Sequence, residues 1–152
     1  MNRLAADFAL LLLRLAGLGL AIFHGWGKLT RLVGGDARFA DGLAQMGFPA
    51  PLVFAWAAAL AETLGGTLVA VGLFTRVAAA FCTVTMLVAA FVRHHALDQL
   101  FIRMGLLEVP PERLTVWGNP ELALMYLVVF LAVALAGPGG LSIDGMRGGR
   151  RR

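Results

Sequence analysis

An all-α membrane protein, a bundle of four transmembrane helices, is the fold class this sequence predicts. Three observations carry the prediction. Of the 152 residues, 59% are hydrophobic and 14% are charged, against about 25% charged in an ordinary soluble domain. The mean hydropathy is +0.80, so polar side chains are too few to cover a globule in water. The apolar residues gather into four runs, about 6–27, 52–74, 77–94 and 120–138, each near the roughly 17–25 residues of a membrane-crossing helix. No period-two alternation runs through them, and in lipid each backbone must satisfy its own hydrogen bonds, so the runs read as helices.

Span 1 (6–27) follows Arg3 and is interrupted by Asp7 and Arg14. No A-x-A-like cleavage site follows it, so it reads as an uncleaved first span rather than a signal peptide. Span 2 (52–74) has Glu62 as its only charge and joins span 3 (77–94) through the tight hairpin FTR. Span 4 is 120–138. The two longer connections, 29–50 and 95–119, each hold an amphipathic piece. Phe39, Leu43 and Met46 share one helical face; Leu97, Leu100, Phe101, Met104 and Leu107 share another. Both predict short helices lying on the membrane surface.

Four spans put both termini on one side. Arg counts on the two sides are nearly balanced, but the densest cluster is the tail MRGGRRR, with four of the thirteen basic residues. That predicts cytoplasmic termini, with residues 1–146 as one membrane domain and 147–152 as a basic cytoplasmic tail. Trp26, Trp56 and Trp117 then form an aromatic belt at the outer interface. The net charge of +4 suits loops that meet anionic headgroups, and no nucleic-acid-binding motif accompanies it. The single cysteine, Cys82, excludes an internal disulfide and any C-x-x-C chemistry; inside an apolar run it reads as a small buried hydrophobe.

The charges inside the spans are the candidate functional residues, because an unpaired charge at that depth costs at least about 2.5–3.5 kcal/mol. Arg14 and Glu62 lie at depths only a few ångströms apart by the roughly 1.5 Å helical rise, so they are expected to pair. Ala58, Glu62, Gly65 and Gly66 share a face of span 2, and Gly17 and Gly19 give span 1 a matching small-residue face for close approach. At the outer end, His24 and Lys28 face the same side of span 1, Lys28 is expected to pair with Glu121 or to snorkel to the headgroups, and His94 with Asp98. The result would be a polar pocket with Glu62 beneath it and Trp26 anchoring its rim, Gly25 and Gly27 leaving room. A metal site from His24, His94 and Asp98 matches no strong zinc spacing, and axial haem ligation by His24 and His94 rests on two histidines alone.

These pieces together resemble the DoxX family of small four-helix membrane proteins. The resemblance runs from about residue 8 to 144, through LLLRLAGLGLAIFHGWGKL, MGFPAP, WAAALAETLGGTLVAVGLFTRVAA and NPELALMYLVVFLAVALAGPGGLSID. Arg14, His24, Gly25, Lys28, Glu62, Gly65, Gly66, Arg76, Glu121, Gly137, Pro138 and Asp144 sit where such sequences carry these types. The resemblance implies a group named after a subunit of a thiosulfate:quinone oxidoreductase, with relatives in oxidative-stress responses and in membrane-protein assembly.

Three functions follow as expectations. The first is a quinone-handling subunit of an inner-membrane oxidoreductase, in which Glu62 and His24 exchange protons, Arg14 or Lys28 stabilises an anion, His94, Glu121 and Trp26 line the site, and a partner supplies electrons. The second is a scaffold or assembly factor that holds a protein partner, or a second copy, on its small-residue faces. The third is a small-molecule or lipid transporter, for which four short spans are cramped and no inverted repeat is evident.

Overall fold

The computed structural model describes residues 2–149, and the secondary structure among them is helical. Helix α1 is Arg3–Val33, α2 Arg38–Gln45, α3 Pro51–Val71, α4 Thr75–Arg93, α5 Ala96–Arg103, α6 Pro111–Trp117, α7 Glu121–Ala136 and α8 Ile143–Gly149. Three of these, α1, α3 and α4, are long and apolar enough to cross a bilayer alone; α6 and α7, bent by 41°, reach that measure only when taken together as one broken span, so the spans number three or up to four. This is an integral membrane protein. Arg150, Arg151 and Arg152 of the basic tail lie outside the described residues.

Large apolar side chains such as Phe8, Leu12, Phe81 and Val128 stand exposed on the outside of the bundle, where lipid solvates them. The interior is small and dense: Leu20, Val69, Ala79, Cys82, Phe130 and Val133 form its centre. The closest approach is between α1 and α3. A Cβ on Gly66 would stand 2.5 Å from the Gly17 carbonyl oxygen, and one on Gly17 would strike the Gly66 carbonyl in return. Of the expected small-residue faces, Gly17 and Gly66 meet backbone to backbone, whereas Gly19 faces Tyr126 and Gly65 faces Cys82 of α4.

Helix α1 runs 31 residues, about 46 Å at 1.5 Å per residue and longer than the roughly 30 Å hydrocarbon core. It passes the expected end at 27 because Lys28 turns inward to an acid instead of ending the span. Helix α2 then folds back: Ala40 and Leu43 are buried against Leu32, Ala55 and Ala59, with Phe39 and Met46 packed beside them. Its apolar face covers the bundle. Helix α5 differs, for Leu97, Leu100, Phe101 and Met104 remain exposed, as a surface-lying helix requires. It ends at Arg103, short of the expected Leu107, because Gly105 takes φ +72° and turns the chain. Helix α6 has no counterpart in the sequence reading, which left its residues in a loop.

Both ends of the described segment lie on one side, the terminal end, where the Gly140 N–H donates to Asp7 Oδ1 at 2.6 Å. The opposite, loop end carries the connections 34–50 and 94–120 and all three tryptophans.

Candidate functional site

Helices α1, α3 and α4 each contain one π-helical turn: Ala21–Gly25, Ala61–Gly65 and Ala89–Arg93. A π turn inserts one residue, widens the helix and shifts the faces beyond it, and such turns gather at functional sites. Here they hold His24, Glu62 and Ala89, and all three residues line one cavity of about 80 Å³. Lys28 and Tyr126 complete its polar lining; Leu20, Met86, Leu122 and Ala123 make the rest apolar. Gly25 is what lets the two π turns of α1 and α3 meet, since a Cβ there would lie 2.6 Å from the Thr63 nitrogen. Gly27 has nothing within 4 Å and makes no such contact.

At the floor of the cavity Lys28 Nζ donates to Glu62 Oε1 at 2.5 Å. Glu62 is 1% exposed and Lys28 31%. Glu62 Oε2 is buried and has no hydrogen-bond partner among the described residues. The Lys28 ammonium also lies 5.1 Å from the centre of the Phe39 ring, close enough for a cation–π attraction. The His24 ring stands edge-on to Tyr126 with centroids 6.0 Å apart, and Tyr126 stacks on Phe130 at 5.7 Å. Gly19 clears space for the Tyr126 hydroxyl, which would sit 3.1 Å from a Cβ there.

The expected Arg14–Glu62 pair is not formed. Depth was estimated from the helical rise, but Cα–Cβ bonds tilt toward a helix's N-terminus. Because α1 and α3 are antiparallel, Arg14 points to the terminal end while Glu62 points to the loop end. The same tilt aims Lys28 downward onto Glu62 rather than up to the headgroups. Lys28 does not pair with Glu121 either: the exposed Glu121 accepts from Asn119 Nδ2 at 3.1 Å. His94 does not meet Asp98. Its Nδ1 is 2.6 Å from the Trp117 carbonyl, and His95 takes the acid at 2.9 Å. His95 adopts φ +50°, which breaks the helix and the four-residue register the pairing needed. Trp26 is exposed on the outer surface. Of the anticipated residues, His24, Lys28 and Glu62 converge on the cavity; Arg14, His94, Glu121 and Trp26 do not. Among the described residues no group of three metal-ligating side chains comes together.

Arg14 belongs to a second polar cluster at the terminal end. It is fully buried and donates from Nη2 to the Leu141 carbonyl. Its Nε and Nη1 are buried without a hydrogen-bond partner among the described residues. Asp144 accepts from the N–H groups of Phe74 and Thr75 at 3.1 and 2.8 Å and from the Thr75 hydroxyl at 2.8 Å. It thereby caps α4 from seventy residues away. Burial raises its carboxyl pKa, and the hydrogen bonds from Thr75 and Phe74 more than offset this, holding it below the usual carboxylate range. Arg76 Nη1 donates to the carbonyls of Ala134 and Leu135 at 3.1 and 2.9 Å, satisfying the C-terminal end of α7. Gly72, at φ +74°, turns the hairpin and leaves the Arg14 guanidinium a space no side chain could share.

The fold and site define a small helical membrane protein with a half-buried charge pair lining a partly polar cavity at one end and a folded-back C-terminal clasp at the other. The DoxX family profile matches residues 9–95, and the chain belongs to the DoxX family. It is similar to the inner membrane protein YphA of Escherichia coli strain K12, with 30% identity over 140 residues that cover 92% of this chain and 91% of that protein. No solved structure matches it significantly.

Proposed function

We propose that this DoxX-family protein is the quinone-handling subunit of a membrane oxidoreductase or oxidative-stress system, seated in the inner membrane with both termini in the cytoplasm. The observation that carries the reading is the Glu62–Lys28 pair beneath a cavity lined by His24 and Tyr126. A quinone head group needs an apolar wall, proton-exchanging groups and a cation near its oxygens, and this cavity offers all three inside the bilayer. Electrons come from a partner, since the one thiol, Cys82, is fully buried and spends its hydrogen on the Ala61 carbonyl at 3.3 Å. The orientation rests on the Arg-rich tail, and the inner-membrane seat on the similar Escherichia coli protein.

A scaffold role has one observation in its favour. An apolar groove of about 430 Å³ runs between α3 and α4, lined among others by Leu60, Leu64, Leu68, Val77 and Phe81, and could seat a partner's helix.

Mass spectrometry of organic extracts separates the two readings. Protein purified in mild detergent is expected to retain a quinone near one per chain, and a Lys28→Met, Glu62→Gln double variant to lose it. The pair is removed together because neutral replacement of both partners is far better tolerated than breaking one. Bulk phospholipid alone in both samples would overturn the quinone reading in favour of the scaffold.

A further inference from the structure

The charge balance of the cavity says which form of ligand it is built for. Glu62 is already neutralised: Lys28 holds Oε1 at 2.5 Å. A cationic ligand would have to displace that ammonium, and an anionic one would face a carboxylate oxygen. The site therefore selects a neutral molecule. Glu62 lines the cavity, and its Oε2 is buried without a hydrogen-bond partner among the described residues; a carboxylate oxygen can only accept. A ligand that satisfies it must bring a hydrogen, whereas a carbonyl oxygen pointed at it would leave both acceptors unpaired and desolvated. The remaining walls, Leu20, Met86, Ala89, Leu122 and Ala123, call for an apolar body.

Size narrows the pose. A cavity that encloses a benzene ring measures about 150 Å³, and this one about 80 Å³. It takes one hydroxyl and the ring edge that bears it, leaving the ring at the mouth between His24 and Tyr126. Both are half-buried, and their edge-on packing leaves His24 and the Tyr126 hydroxyl free to donate to the ligand oxygen's lone pairs.

Resting on the quinone reading above, we infer that the cavity binds the reduced, hydroxyl-bearing member of a quinone pair in preference to the oxidised one, with the ligand's O–H donated to Glu62 Oε2. The chemical class is a neutral lipid-soluble quinol or phenol.

The test is binding to the full chain in detergent, under anaerobic conditions, of durohydroquinone, duroquinone and the dimethyl ether of durohydroquinone, by titration calorimetry. The expected result is that durohydroquinone binds about tenfold or more tightly than the other two, the factor for one hydrogen bond to a buried charged acceptor. Glu62→Gln is expected to abolish that preference, because a neutral amide accepts far more weakly than a carboxylate and durohydroquinone then falls to the affinity of the other two. Tyr126→Phe leaves the carboxylate in place and is expected to keep the preference while weakening both ligands. Duroquinone binding as tightly as durohydroquinone in the wild type would overturn the inference and leave the quinone reading standing. Saturable binding of neither would overturn both. A preference that survives in Glu62→Gln would remove Glu62 from the role.

Discussion

The two ends of the bundle use the same kinds of residue to opposite effect. At the terminal end, Asp144 makes three hydrogen bonds to Phe74 and Thr75, Arg76 covers the last carbonyls of α7, and Asp7 holds Gly140. Acids meet N–H groups and bases meet carbonyls, so the cluster closes the helix ends and ties the C-terminal segment to them. At the loop end, Glu62 and Lys28 satisfy one another and little else, both line a cavity, and Glu62 Oε2 is buried without a partner among the described residues. Three helices give up α-helical regularity there, while the terminal end has none of the three π turns. The terminal end is a clasp tied by many hydrogen bonds, although Arg14 Nε and Nη1 find no partner among the described residues; the loop end instead sets a lone ion pair beside a cavity.

The sharpest way to break the comparison is to disturb what both ends share. Gly17→Leu drives a side chain into the Gly66 carbonyl at the α1–α3 crossing and is expected to cost about 3 kcal/mol or more. Thermal unfolding in detergent, followed by circular dichroism, checks this; a melt like the wild type's would mean that the crossing does not hold the ends together. Next, Asp144→Ala removes three hydrogen bonds and is expected to cost about 2–3 kcal/mol, at roughly 1 kcal/mol for each, again as a lowered melting temperature.

The Lys28→Met, Glu62→Gln double variant is expected to be milder, about 1–2 kcal/mol, because both partners are replaced together by neutral groups of similar size. A loss larger than that of Asp144→Ala would make the loop-end pair the structural one. The smallest effect is a pH dependence. Asp144 has a depressed carboxyl pKa in the folded protein, so its contribution is fully present above the ordinary value of about 4 and is lost as pH falls through the lower folded value. Melting temperature should therefore fall more steeply with acid in the wild type than in Asp144→Asn. Parallel slopes would contradict that role.

The bundle was legible because it rests on composition and run length. The spans follow from apolar runs, and a close approach of α1 and α3 from small residues on one face; the hairpin follows too, but the turn falls at 72–74 rather than at FTR, because Gly72 takes the left-handed φ and Thr75 and Arg76 already belong to α4. The cavity was half legible: His24, Lys28 and Glu62 are polar groups in apolar helices, and that alone marks them. Their pairing was not, because depth along an axis ignores the tilt of side chains toward each helix's N-terminus. That tilt separates Arg14 from Glu62 and brings Lys28 down to it. The π turns leave no periodic trace in AIFHG, AETLG or AAFVR, and without them the register of each helix beyond the turn is misjudged. Tyr126 was overlooked although it is the one tyrosine in the chain and carries a hydroxyl in the middle of span 4. The role of Asp144 lies beyond local pattern altogether, since its partners are some seventy residues away.

The most direct test of the division between clasp and site is the amount of quinone retained per folded chain in Asp144→Ala and Glu62→Gln, measured side by side. The account predicts that Asp144→Ala, though less stable, keeps the wild-type amount, and that Glu62→Gln loses it. Loss in Asp144→Ala with retention in Glu62→Gln would place the binding function at the opposite end of the molecule and contradict the account.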